Sequence, residues 1–168
     1  AHKSALALAG HKSARKNLTP EDNAYLHRRF FRPEPRLAFA DLARNLMSSA
    51  IDVSDGLHAD AEHLAKTSAV RLRINLDQLP FSQSVLRLTS EAERVNAALY
   101  GGDDYELCFT AETAYRGQID AVAASAGLRV TAIGEVEYGS GISLFDRGVA
   151  VPANHQRGFD HFSRVDPR

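Results

Sequence analysis

Ala50-Ile51-Asp52-Val53-Ser54-Asp55-Gly56-Leu57 carries a change of period from two to about four. Ile51 and Val53 alternate with Asp52 and Ser54, as in a strand with one face buried. Beyond Gly56, Leu57, Ala61, Leu64 and Ala65 recur at helical spacing, so a strand over 50–54 should give way to a helix over about 57–67. Asp52 and Asp55 therefore stand three residues apart at a bend. Two carboxylates about 4 Å apart repel by ~1 kcal/mol in water and ~4 kcal/mol at an effective dielectric near 20. A divalent cation turns that repulsion into binding, and Mg²⁺ takes one or two protein carboxylates and completes its octahedron with phosphates and water. The N–H groups opening the helix favour phosphate oxygens at the same place, and Ser54 could donate to one. Capping of the helix by Ser54 or Asp55 is the commoner use of such residues and is equally compatible with the spacing.

Outward from this bend, strands and helices alternate. Thr19-Pro20 reads as the cap and first position of a helix running to about Arg29, and two prolines in Phe31-Arg32-Pro33-Glu34-Pro35-Arg36 exclude regular helix there. A helix with Leu37, Ala40, Leu42 and Leu46 inward should follow. Further strands are expected at 72–76, 105–109, 129–136 and 141–145, with helices over 90–99 and 114–126 and another over 4–16. The expected architecture is α/β, a single layered sheet covered by helices.

The 168 residues suit one domain, and 20 Lys plus Arg against 21 Asp plus Glu give a net charge of −1. That balance argues against a nucleic-acid binder held by a basic surface. No apolar run has the length of a membrane span, and no secretory leader is expected. Cys108 is the only cysteine, which excludes an intrachain disulfide and a multi-Cys zinc site and is compatible with a reducing compartment. There is no G-x-x-x-x-G-K-[ST] loop and no G-x-S-x-G elbow. Ala1-His2-Lys3-Ser4 runs straight into an apolar pattern without an initiator Met, as expected for a piece of a longer protein.

Tyr100-Gly101-Gly102-Asp103-Asp104-Tyr105-Glu106 is a second candidate site. Its glycines permit close backbone approach or positive φ, and its acids lie at the mouth of a strand, where ligands bind in open sheets. A helix stop with a solvated turn is the plainer reading. Asp60 and His63 are read as surface hydrogen-bonding groups, Cys108 as a small apolar filler, and Arg32 and Arg36 as a structural clamp. Phe159 could cover a flat ring or pack on the domain.

Together, Ala50–Leu57 with Asp60 and His63, Gly101-Gly-Asp-Asp-Tyr-Glu-Leu107, Gly158-Phe-Asp-His-Phe162 and the arginine–proline segment closely resemble the thiamine-monophosphate kinase family. The Ser-Asp-Gly-Leu turn is shared with the wider aminoimidazole-ribonucleotide synthetase superfamily. The resemblance implies transfer of the γ-phosphoryl of ATP to thiamine monophosphate, giving thiamine diphosphate by direct in-line attack without a general base. It implies Mg²⁺ contacts for Asp52 and Asp55, an ATP contact for Ser54 and thiamine-substrate contacts for Asp103 and Phe159. Asp103 stands where Glu is usual, one methylene shorter, and Phe159 where Tyr is common. It further implies that residues 1–168 are the C-terminal domain of a longer two-domain, cytoplasmic, homodimeric kinase. The N-terminal domain, with most of the Mg²⁺ and nucleotide site, is then missing here, and the chain alone should be inactive. Another ATP-dependent synthetase of the superfamily and a free-standing binding module are the alternatives.

Overall fold

In the computed structural model, residues 18–152 are described; the expected helix over 4–16 and the tail bearing Phe159 lie outside them. Helix α1 (Pro20–Phe31) opens as expected, with the Thr19 hydroxyl accepting from the Asp22 N–H at 3.1 Å and Pro20 in the first turn. An extended segment bearing Pro33 and Pro35 leads to α2 (Leu37–Ala43). Strand β1 (Ser49–Val53) runs into α3 (Leu57–Thr67), and β2 (Arg71–Asn75) follows. Helix α4 (Gln83–Leu88), absent from the sequence reading, is capped by Ser82, and α5 (Glu91–Tyr100) opens with a Ser90–Glu93 capping box. Then come β3 (Glu106–Thr110), α6 (Arg116–Ser125), β4 (Gly134–Glu137), β5 (Gly141–Asp146) and β6 (Val149–Val151).

The layered α/β class holds, but the single sheet expected from the alternation is two sheets. One is a two-stranded antiparallel ribbon of β1 and β3; the other is a four-stranded mixed sheet in the order β4-β2-β5-β6, with β2 and β5 parallel. Strands β1 and β2 are neighbours in sequence but not in a sheet, because α3 buries an arc broad enough to serve both. Its Leu57, Ala61, Leu64 and Ala65 share one core with Val53 of the ribbon and Leu72, Ile74 and Leu144 of the larger sheet. The other side of the ribbon, Leu107 and Phe109, packs with Phe39 and Ala43 of α2 and Ile119 and Ala123 of α6. The ribbon is thus held between two apolar clusters, which overcomes the marginal stability of an isolated strand pair.

Two further expectations are corrected. Residues 129–133 are not strand; β4 begins at Gly134, where a Cβ would overlap the Arg73 carbonyl oxygen and only glycine lets the strands approach. On α2 the buried residues are Phe39 and Ala43, whereas Leu37 and Leu42 are 71% and 60% exposed. The Phe39 ring meets Phe109 with centroids 5.9 Å apart, and Ile119 and Ala123 of α6 complete the cluster that buries this face of the helix.

Candidate functional site

Strand β1 ends at Val53, and the chain turns through Ser54 and Asp55 into α3. The residue at the cap position is Gly56 (φ 111°), and α3 has no side-chain cap. Neither Ser54 nor Asp55 is therefore used as a helix cap. The turn is held instead by Asp60, one turn into α3. Its Oδ2 accepts three backbone N–H bonds, from Ser54 (3.0 Å), Asp55 (3.0 Å) and Gly56 (3.1 Å). Asp60 is 3% exposed, so it is not the surface group expected from its spacing to His63. Burial pushes its carboxyl above the ordinary range, and the Asp55 charge adds to this against the opposing pull of the three amides. Sequence spacing does contain a signal for it: an acid four residues beyond the turn glycine lies one helical turn above the orphan amides. Cys108 of the ribbon is, as expected, a small group packed on the core beside α3, its thiol pushed up to about 11 by burial and the nearby Asp60 charge.

With Asp60 closing the inner side, Asp52 is exposed and Ser54 and Asp55 are half-buried. The acid turned inward and locked to neighbouring amides is Asp60, not either of the two proposed metal ligands.

The second candidate segment lies directly against the first. Gly101 ends α5, its N–H bonding the Ala97 carbonyl at 2.9 Å, so the helix-stop reading applies to that glycine. Gly102 does something further: a Cβ there would overlap the Ser54 carbonyl oxygen. The Asp103 N–H donates to that same carbonyl at 2.6 Å, and the Tyr105 N–H donates to the Val53 carbonyl at 2.9 Å. Gly56 in turn sits under α5, where a Cβ would come within 2.8 Å of the Leu99 carbonyl oxygen. The two loops are backbone-locked, which brings Asp52, Ser54, Asp55 and Asp103 to one end of the ribbon. Asp103 (φ 65°) and Tyr105 (φ 52°) both occupy the left-handed region, a conformation that non-glycine residues keep only when their surroundings enforce it. The Tyr105 hydroxyl reaches the Asp103 carboxylate at 3.3 Å.

Glu106, the first residue of β3, directly follows that loop. Arg36 grips both of its carboxylate oxygens, Nε to Oε2 at 2.8 Å and Nη2 to Oε1 at 2.7 Å, and buried Arg29 of α1 binds Oε1 as well. Burial alone would raise the Glu106 carboxyl; the Arg36 and Arg29 guanidinium groups overcome this and hold it below the ordinary glutamate value. Arg36 is thus the structural clamp expected of the arginine–proline segment, while Arg32 is exposed. The sequence reading assigned no role to Arg29 or Glu106.

Among the described residues no group of three or more His, Cys, Asp or Glu side chains could hold a metal ion by itself. Asp52 and Asp55 carry hard oxygen donors, one exposed and one half-buried, the donor type that Mg²⁺ takes alongside phosphate and water. An open cleft of about 580 Å³, lined in part by Leu76, Phe81, Leu86 and Arg94, lies elsewhere and includes none of these residues.

The fold and site define a layered α/β domain whose carboxylate-bearing strand-to-helix turn is backed by a glycine loop. The chain belongs to the family described as AIR synthase related protein, C-terminal domain, which matches residues 2–147. It is 36% identical over 143 residues to a thiamine-monophosphate kinase of Salmonella typhimurium, covering 84% of this chain and 44% of that protein. The crystal structure of thiamine-monophosphate kinase from Stenotrophomonas maltophilia K279a superposes with a TM-score of 0.78 at 36% identity, covering 89% of this chain and 48% of that one. AaThiL complexed with AMPPCP and TMP superposes with a TM-score of 0.69 at 29% identity, covering 96% and 48%. The chain spans about half the length of the curated relatives it matches.

Proposed function

We propose that this chain is the C-terminal domain of a thiamine-monophosphate kinase, contributing one wall of a site where the γ-phosphoryl of ATP passes to thiamine monophosphate. The observation that carries the reading is the backbone lock between the 54–56 turn and the 102–105 loop. It gathers at one end of the ribbon Asp52, Ser54, Asp55 and Asp103, which the family resemblance singles out; Phe159 lies outside the described residues. The names of the relatives and the complex of AaThiL with AMPPCP and TMP support it.

In this reading Asp52 and Asp55 hold Mg²⁺, which when bound supplies charge neutralisation along the phosphates. Ser54 contacts ATP, and Asp103 contacts the thiamine moiety. Asp60 keeps the turn rigid by occupying three amides that would otherwise face water or ligand. The acceptor oxygen belongs to a phosphate and is already anionic, so the residues here position and neutralise rather than abstract a proton. The remaining carboxylates and much of the nucleotide site belong to a preceding domain in a homodimeric, cytoplasmic protein. No helix among the described residues is long and apolar enough to cross a membrane.

The test is an assay of the full-length protein with ATP, Mg²⁺ and thiamine monophosphate, following thiamine diphosphate. Product formation that requires all three is expected. Turnover of ATP with a different acceptor, and none with thiamine monophosphate, overturns the reading. Sedimentation of the same protein tests the dimer.

A further inference from the structure

The Arg29–Glu106–Arg36 cluster ties the arginine–proline segment to the first residue of β3, next to the loop that bears Asp103. We propose that this cluster is a positioning device for the acceptor end of the site, fixing the 103–105 loop and through it the affinity for thiamine monophosphate. The inference rests on the reading under Proposed function and extends it to three residues that do not touch the substrate in that reading.

Three observations carry it. The loop holds two non-glycine residues, Asp103 and Tyr105, in the left-handed region on either side of Asp104. Such a backbone relaxes unless both ends are fixed. Its upstream end is fixed by the Gly102 and Asp103 backbone against Ser54. Its downstream end is fixed by Glu106, whose two oxygens are taken by two guanidinium groups, one of them as a two-pronged pair. The two-pronged geometry specifies orientation as well as attraction. Arg36 follows Pro33 and Pro35, which restrict the segment that presents it, and Arg29 is buried on α1. A partly buried ion cluster is a weak general stabiliser compared with apolar packing. Its distinctive contribution is a fixed position, and the position it fixes is that of the strand start beside Asp103.

The experiment compares the chain with its Glu106→Gln and Arg36→Lys variants by amide hydrogen exchange, reading the Asp103 and Tyr105 N–H groups against those of Leu72 and Ile74 in β2. Glu106→Gln should speed exchange at Asp103 and Tyr105 at least tenfold and leave Leu72 and Ile74 within twofold. Arg36→Lys, which keeps the charge and the Arg29 pair, should give the same pattern at about threefold, and it carries the test if Glu106→Gln does not fold. Unchanged exchange at the loop, or equal acceleration everywhere, overturns the proposal. In the full-length protein, Glu106→Gln should raise the KM for thiamine monophosphate at least fivefold and leave the KM for ATP within twofold. A merely structural role would lower the active fraction, and so kcat, with both KM values unchanged. If the wild-type full-length protein does not use thiamine monophosphate, the functional reading fails, while the exchange comparison still decides whether the cluster positions the loop.

Discussion

At the scale of single residues, Asp60 and Gly102 bear the most. One oxygen of Asp60 satisfies the amides of three consecutive residues in the turn that presents Asp52 and Asp55. Leaving such donors without an acceptor costs about 1–3 kcal/mol per group when they stay buried. Asp60→Ala should therefore lower unfolding stability by about 3 kcal/mol in urea titration, allowing for water reaching the turn. Asp60→Asn retains an acceptor oxygen and should lose less than half as much. A loss under about 0.5 kcal/mol for Asp60→Ala would show the turn to be self-supporting. Gly102→Ala places a methyl group against a backbone carbonyl that cannot rotate aside. It should cost about 2 kcal/mol by overpacking and should lower full-length activity by separating the two loops. Asp52 is exposed, so Asp52→Asn should change the melting temperature little while cutting turnover of the full-length protein by orders of magnitude. Equal losses of both would make the carboxylate structural.

Among elements, the ion cluster between α1, the arginine–proline segment and β3 has an acid limit. The folded Glu106 carboxyl titrates below its ordinary value of 4.5. Its contribution is therefore complete above that value and disappears as pH falls through the folded pKa. Thermal unfolding between pH 6 and 3 should show stability falling with acid in the wild type, with a shallower fall in Glu106→Gln; identical slopes would refute the assignment. How far these elements could be foreseen depended on how local their cause was. The β1–α3 bend was legible because both its periods lie in adjacent residues, and Leu57, Ala61, Leu64 and Ala65 are all buried. The phase of α2 was not, since Leu37, Ala38, Phe39, Ala40, Leu42 and Ala43 leave only Asp41 polar and no single stripe stands out. The choice was made by Phe109 of β3 with Ile119 and Ala123 of α6, all distant in sequence. Division into two sheets was likewise hidden, because strand pairing is non-local and alternation shows only that layers exist. Asp52, Ser54, Asp55 and Asp103 could be named from their motifs. That Asp103 lies beside Ser54, and that Asp60 and Glu106 hold the arrangement, required the fold.

For the whole molecule, the relevant fact is that relatives are about twice as long. Two carboxylates cannot by themselves complete a triphosphate site, so the 168-residue chain supplied with ATP, Mg²⁺ and thiamine monophosphate should show no turnover. Robust product formation by it would remove the need for a preceding domain. The ribbon also sets an order of events during synthesis. Ser49 pairs with Thr110, 61 residues later, by a 2.7 Å hydroxyl contact, and the Ser54 carbonyl waits for the Asp103 amide. Closing so long a loop costs entropy that nearby contacts do not repay, and such pairings form late. A nascent chain halted at about residue 95 would hold the acidic bend with neither its partner strand nor its glycine neighbour. In the proposed function, the turn that would hold Mg²⁺ is thus completed only once translation has passed the second motif.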